Sequence, residues 1–394
     1  MASGFPLLER ESELTRIAEL VAGAKAGEFG AVVVEGPAGA GKSAILGALA
    51  AHAEERGLRV LRAVGLELER EYPFGVVRQL FEPAVFGLAP AARDEVFVGA
   101  AALADPLLTG GQSESAPQPA GPGFGLLHSL YWVLVGLADL GPVALLVDDV
   151  QWADSLSLRF LAFALRRAEE LPVLLALGRR DTPTEDEPDE LVAVLGGSLS
   201  VIRPRPLSGA AIGVLLAGAV GRGLEEGLVA EAERLTAGNP LYVRELADAL
   251  TAARFATVDD PLGVLRSVAP AAIGHRVQVT LRGIDPAARE LARAAAILGD
   301  DVPLRCGATL ADLDERRASV AADAAARAGI LLTGEPLRFP PSAGARGSAR
   351  VDRASCTRAR ARTCRAAAAQ RRPPSRACRH ASARERPGGR FDGG

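Results

Sequence analysis

The sequence predicts an α/β chain, a parallel and doubly wound sheet followed by helical subdomains. Three observations predict it. Short, continuous apolar runs at 31–35, 143–147 and 172–177 have the length and composition of strands buried on both faces. Segments of helical periodicity fill the intervals between those runs. From Ser208 onward the strand signals fade and helical periodicity dominates.

The elements follow in order. Leu14, Ile17, Ala18 and Val21 recur at helical spacing and predict a first helix with those four residues on one face. Glu28-Phe29-Gly30 ends it, Ala31 to Glu35 predicts the first strand, and Gly36 to Gly41 a turn. Residues 42–56 predict a helix stopped by Gly57, and 59–64 a second strand. Residues 74–108 predict helix, and 110–125 (GGQSESAPQPAGPGFG) a polar loop rich in Pro and Gly. A helix is expected at 126–140, the third strand at 143–147 and a helix at 155–170. The fourth strand, 172–177, reaches Arg179-Arg180; an acidic loop at 181–189 and a fifth strand at 199–202 follow.

The chain has 394 residues, enough for two or three domains. Met1-Ala2-Ser3-Gly4 has neither the basic nor the apolar region of a secretory leader. The apolar stretch from Phe124 to Val147 is cut by Asp139 and Gly141-Pro142, which argues against a membrane span. The expected location is cytoplasmic. None of the four cysteines sits in a CxxC pair, so neither a zinc site nor a disulfide framework is expected. His52, His128 and His275 fit no metal spacing and are expected to be non-catalytic.

Gly36-Pro37-Ala38-Gly39-Ala40-Gly41-Lys42-Ser43 fits G-x-x-x-x-G-K-[ST], the phosphate-binding loop. Glycines let successive N–H groups turn inward around phosphates, and the following helix adds its positive N-terminal end. Lys42 supplies a cation for the β- and γ-phosphates and Ser43 a hydroxyl for Mg²⁺. Lys42 and Lys25 are the only lysines in a chain that otherwise uses arginine. The predicted fold is therefore that of P-loop NTPases, with ATP and Mg²⁺ as ligands. At the end of the third strand, Asp148 is the expected Mg²⁺ acid. Asp149 is expected to orient or deprotonate water. Arg179, after the fourth strand, is expected to contact the γ-phosphate in the transition state, with Arg180 as its competitor.

From Pro340 to Gly394 there is no Leu, Ile or Met, and 14 Arg face three acids, a net of +11. The chain total is −3, so residues 1–339 carry −14. Such a segment buries too little apolar surface to fold. GC-rich codons read one base out yield this Arg, Ala, Pro, Gly and Ser composition, so an out-of-frame tail is expected; the competing reading is a basic arm for nucleic acid.

Several segments together resemble one group: Leu8-Glu9-Arg10-Glu11-x-Glu13-Leu14, the phosphate loop, Tyr72 to Phe81 (YPFGVVRQLF), Leu145 to Asp154 (LLVDDVQWAD), Arg179-Arg180, and Thr236 to Glu245 (TAGNPLYVRE). They are similar to the STAND-class signalling ATPases, in particular the large ATP-binding regulators of the LuxR type, over roughly residues 5–339. The resemblance implies that the Arg10 region lines the adenine pocket. It implies that Pro240, in Gly238-Asn239-Pro240, packs on the base and reports nucleotide state. From the residues alone that tripeptide is only a turn between helices. The organisation expected is a P-loop ATPase domain at 1–206, a helical lid at 207–262, a small winged-helix-like domain at 263–338 and the tail at 339–394. The implied behaviour is a switch that ATP opens and ADP closes, answering a small-molecule or protein inducer and self-associating with nucleotide. Intact members continue into helical repeats and a helix-turn-helix, so direct DNA binding by this polypeptide is doubtful. Two other readings stay open: a nucleotide-binding scaffold without turnover, and a nucleic-acid binder through the tail.

Overall fold

A computed structural model of the protein describes residues 6–110, 124–181, 194, 196, 199–253, 255, 260–299, 301–332 and 334–339. The tail from 340, and the expected loops at 110–125 and 181–189 apart from residues 110, 124, 125 and 181, lie outside the described residues. Five strands, β1 (Gly30–Glu35), β2 (Arg59–Val64), β3 (Val143–Asp148), β4 (Val173–Arg179) and β5 (Ser200–Ile202), form one sheet in the order β2-β3-β4-β1-β5. All neighbours run parallel.

Parallel pairing needs crossovers, and helices supply them on both faces. Helices α1 (Glu11–Lys25) and α2 (Lys42–Glu55) cover one face. There Val32, Val34, Ala144, Leu146, Leu174 and Ala176 pack against Ile17, Val21, Ile45 and Leu49. The alternate residues Ala31, Val33, Leu145, Val147, Leu175 and Leu177 face the other way. They meet α3 (Gly75–Phe86), α6 (Phe124–Asp139) and α7 (Ser155–Leu165), joined by the short helices α4 (Pro90–Val96) and α5 (Asp105–Thr109). This two-faced burial is why the strands carry continuous apolar runs. At the edge strand β2, the Gln79 side chain accepts from Val64 N at 3.0 Å and donates to Val64 O at 3.2 Å, satisfying groups a neighbouring strand would otherwise pair.

Two expectations are corrected. Leu14 does not join the buried face of α1 but is exposed; Glu13 takes its place, buried beside Arg10. The helix expected at 155–170 ends at Leu165, where Arg166 and Arg167 enter a turn that aims the chain into β4.

Beyond β5 the described chain is helical apart from an antiparallel bridge between Val302 and Leu337: α8 (Gly209–Val220), α9 (Glu226–Thr236), α10 (Pro240–Ala252), α11 (Pro261–Gly283), α12 (Pro286–Leu298), α13 (Leu304–Ala311) and α14 (Glu315–Arg327). Capping residues start five of them: the side chains of Ser208, Asn239, Asp260, Asp285 and Asp314 each accept a backbone N–H of the first turn. Proline follows three of these caps, at Pro240, Pro261 and Pro286, where the lost N–H costs nothing. One core gathers Leu207, Ile212, Leu216, Val243, Leu246 and Leu265; a second gathers Leu291, Ala295, Ala325, Ile330, Leu337 and Phe339. The long helix α11 feeds both, through Leu265 at one end and Leu281 at the other.

Glu231 on α9 bridges Arg234 (2.8 Å) and Arg266 on α11 (2.9 Å), which hold its carboxyl at about 2, below its ordinary 4.5. A depressed carboxyl contributes stability above its unfolded value and loses it as the pH falls toward the folded one. The helical unit is therefore expected to lose stability between pH 4.5 and about 2, and Glu231→Gln to weaken that dependence. Urea unfolding across this pH range checks it; equal slopes for both proteins would reject the bridge as a contributor.

Candidate functional site

The carboxyl ends of the strands open onto a cavity of ≈ 910 Å³. The loop 38–43, Asp149, Trp152, Arg180, Arg10, Pro240 and Leu241 line it together. Its size is that of a small-molecule site.

The phosphate loop sits between β1 and α2, as its spacing predicts. Gly39 (φ 81°) and Gly41 (φ 95°) occupy the left-handed region that side chains resist. Gly41 is the N-cap of α2, so the helix starts at Lys42 with its N-terminal end toward the loop. Lys42 is buried, and its Nζ donates to the carbonyls of Gly36 and Pro37, both at 2.9 Å. Burial pushes its pKa down; Asp149 opposes the shift most, while Arg180 adds to it and Asp148 and Asp181 counter. Ser43 is exposed at the same helix end.

Because β4 lies between β1 and β3, the acidic strand is not a neighbour of the phosphate-loop strand. Asp148 reaches across β4: a Cβ on Gly178 would lie 2.4 Å from Asp148 Oδ1 and 2.9 Å from Leu46 Cδ1. The missing side chain of Gly178 thus makes room for this carboxylate. A glycine within a buried strand signals such a close approach, and this one was passed over in the sequence. Asp149 is a non-glycine residue at φ 49°, half-buried, its Oδ1 accepting from Gln151 Nε2 at 2.8 Å. Gln151 Oε1 in turn accepts from Arg180 N at 3.3 Å.

The two arginines after β4 diverge. Arg179 turns to Glu35 at 3.5 Å, beside Arg203, which meets the same carboxylate at 2.6 Å. Arg180 lines the cavity with its Nε 3.8 Å from Asp149 Oδ1. The residue brought toward the acids is Arg180 and not Arg179. Register decides this: Glu35 and Arg179 are paired as the last rung of β1 and β4, so the next residue leaves on the other side.

Arg10 lines the cavity, yet is buried, its guanidinium donating to Glu9 O (2.8 Å) and Arg205 O (2.7 Å). Glu9 accepts from Ser208 N at 2.9 Å and from its hydroxyl, bonds that lower its pKa. These two residues tie the N-terminal segment to the connection into α8. Pro240 is the first residue of α10, and the preceding Asn239 donates its Nδ2 to Ala38 O at 3.0 Å. Leu241 N donates to Gly39 O at 3.4 Å. A Cβ on Gly39 would meet Asn239 Oδ1 at 2.6 Å. On the far wall Gly329, after α14, lies close enough that its Cβ would sit 3.0 Å from the Ala38 Cβ.

The donors fit Mg-ATP. A glycine cradle, a buried lysine and a helix N-terminus suit phosphates. Among the described residues no group of three or more His, Cys, Asp or Glu gathers for a metal. Ser43 lines the cavity, whereas Asp148 is not among its lining residues and its Oδ1 accepts from Asp149 N at 2.9 Å; both are oxygen donors of the kind Mg²⁺ takes, beside phosphate and water ligands of its own. His52 and His128 lie away from this cavity, and the side chain of His275 lies outside the described ones. No described helix is long and apolar enough to cross a membrane.

Residues 6–176 match the AAA ATPase domain family. The chain is similar to an uncharacterized protein of Rhizobium meliloti (strain 1021), 25% identical over 83% of this chain. It spans about a third (33%) of that relative's length. Among solved structures it is similar to a Walker-type ATPase of Pyrococcus abyssi, with TM-score 0.53 and 14% identity over 87% of this chain and 95% of that one. The Orc1 protein of Aeropyrum pernix in complex with DNA gives TM-score 0.45 and 17% identity over 92% and 95%. The fold is that of P-loop NTPases, and residues 6–176 are similar to an AAA ATPase domain.

Proposed function

We propose that this chain binds Mg-ATP in the cavity at the strand ends, hydrolyses it slowly, and serves as the nucleotide-operated switch of a cytoplasmic signalling protein, a transcriptional regulator of the LuxR type. The observation that carries the reading is the single cavity shared by the phosphate loop, Asp149, Arg180 and the helical unit. Ser43 and Asp148 would hold Mg²⁺, which supplies positive charge to the phosphates. Lys42 gives up its Gly36 and Pro37 carbonyl partners for the β- and γ-phosphates. Asp149, steadied by Gln151, orients water and takes its proton. Arg180 releases Asp149 to meet charge growing on the γ-phosphate; Arg179 supports this from Glu35, at the strand end. Arg10 and Pro240 border the base. Nucleotide state is read because the helical segments at 207–262 and 263–338 form part of the cavity wall, so a γ-phosphate changes the contacts of one arrangement more than another. An inducer, self-association and the regulated genes belong to the same proposal.

The test is binding of Mg-ATP and Mg-ADP by the full chain beside Lys42→Ala. Affinity is expected to fall at least about 100-fold, the loss of a buried charge-assisted contact. Equal affinity in the two proteins, or none in the unaltered chain, would sink the reading.

A further inference from the structure

Four successive carbonyl groups of the phosphate loop are each held by a donor. Lys42 Nζ takes Gly36 O and Pro37 O. Asn239 Nδ2 takes Ala38 O at 3.0 Å, and Leu241 N takes Gly39 O at 3.4 Å. The first of these donors, Lys42 Nζ, belongs to the loop's own helix; the other two come from the start of α10, about 200 residues later. In a trans peptide the C=O and the next N–H point in opposite directions. A donor on Ala38 O therefore turns the Gly39 N–H away from α10 and fixes that peptide plane.

We infer that Asn239 is a positioning residue that presets the phosphate loop, so that the loop's anion-binding conformation depends on the docking of α10. The inference rests on the proposed nucleotide site, whose ligand it would help receive. Asn239 is suited to the task because its amide serves two ends at once. Its Oδ1 accepts from Leu241 N and caps α10, while its Nδ2 crosses to Ala38. Gly39 is part of the same device: any side chain there would strike Asn239 Oδ1 at 2.6 Å and Leu241 Cβ at 2.8 Å, so glycine is needed for the approach as well as for its φ of 81°. Gly238 completes it, at φ 70°, where a Cβ would lie 2.5 Å from Leu207 O, the carbonyl of the connection into α8. A change in the lid is thereby transmitted to the loop through one side chain.

Asn239→Ser separates the two roles. Serine caps a helix as well as asparagine does, but its hydroxyl is too short to span to Ala38. The melting temperature of the full chain is expected to stay near that of the unaltered protein. Amide hydrogen exchange of residues 36–41 in the nucleotide-free chain is expected to rise. ADP affinity is expected to weaken about five- to tenfold, the worth of one partly buried hydrogen bond. Asn239→Asp, isosteric and also a good cap, is the second variant and should speed exchange in the same segment. Unchanged exchange at 36–41 in both variants would overturn the inference. The exchange measurement needs no nucleotide, so it decides the role of Asn239 even if the unaltered chain binds none, an outcome that would count against the nucleotide site instead.

Discussion

Asp149→Asn is expected to lower ATP turnover by about 10²- to 10⁴-fold, the usual contribution of a positioned general base, while nucleotide affinity changes little. The backbone explains why this variant is clean. Asp149 sits at φ 49°, a conformation that asparagine tolerates better than any other replacement except glycine. The side-chain oxygen that accepts from Gln151 is kept, and only the charge and basicity are lost. Phosphate release in single turnover, measured beside ATP and ADP binding, checks it. Unaltered turnover would remove hydrolysis from the proposal and leave a site that signals by binding alone.

Asp154→Ala is expected to cost roughly 3–5 kcal/mol of stability, through backbone groups left without partners in the interior. Asp154 is buried and its carboxylate accepts three N–H groups: Phe74 and Ser157 on Oδ1, both at 2.9 Å, and Val76 on Oδ2 at 3.3 Å. Ser157 Oγ adds Val77 N at 3.1 Å. One side chain thus caps α7 from its own N-cap position and also caps α3, which has no capping side chain of its own. Asp154→Asn keeps Oδ1 as an acceptor and is expected to cost only about 1–2 kcal/mol. Urea unfolding followed by the fluorescence of Trp132 and Trp152 measures both variants. A loss below about 1 kcal/mol for alanine would mean that water replaces the carboxylate at these helix ends.

How much of this was legible in the sequence follows from distance along the chain. The phosphate loop, the strands and the order of sheet and helices are local: a glycine spacing, an apolar run or a helical period lies within a dozen neighbouring residues, and the physics that shapes each is contained there. Asp148-Asp149 at the end of β3 was readable for the same reason. Which arginine enters the cavity was not, because one residue of register at the end of β4 swaps the sides of Arg179 and Arg180, and register is set by pairing with β1. The exposure of Leu14 escaped the periodicity because Glu13, satisfied by Arg10 and Ser12, shares the buried side of α1. Gly178 is a clearance for Asp148 only once β3 and β4 lie side by side. Asp154 looked like the end of a motif and proves to join two helix starts. The bond from Asn239 to Ala38 spans 201 residues and belongs to no local pattern. The sequence by itself determined the parts and the chemistry they can carry; the tertiary structure alone decided which of them meet, since contacts between distant segments depend on how whole layers pack and not on any residue's neighbours in the chain.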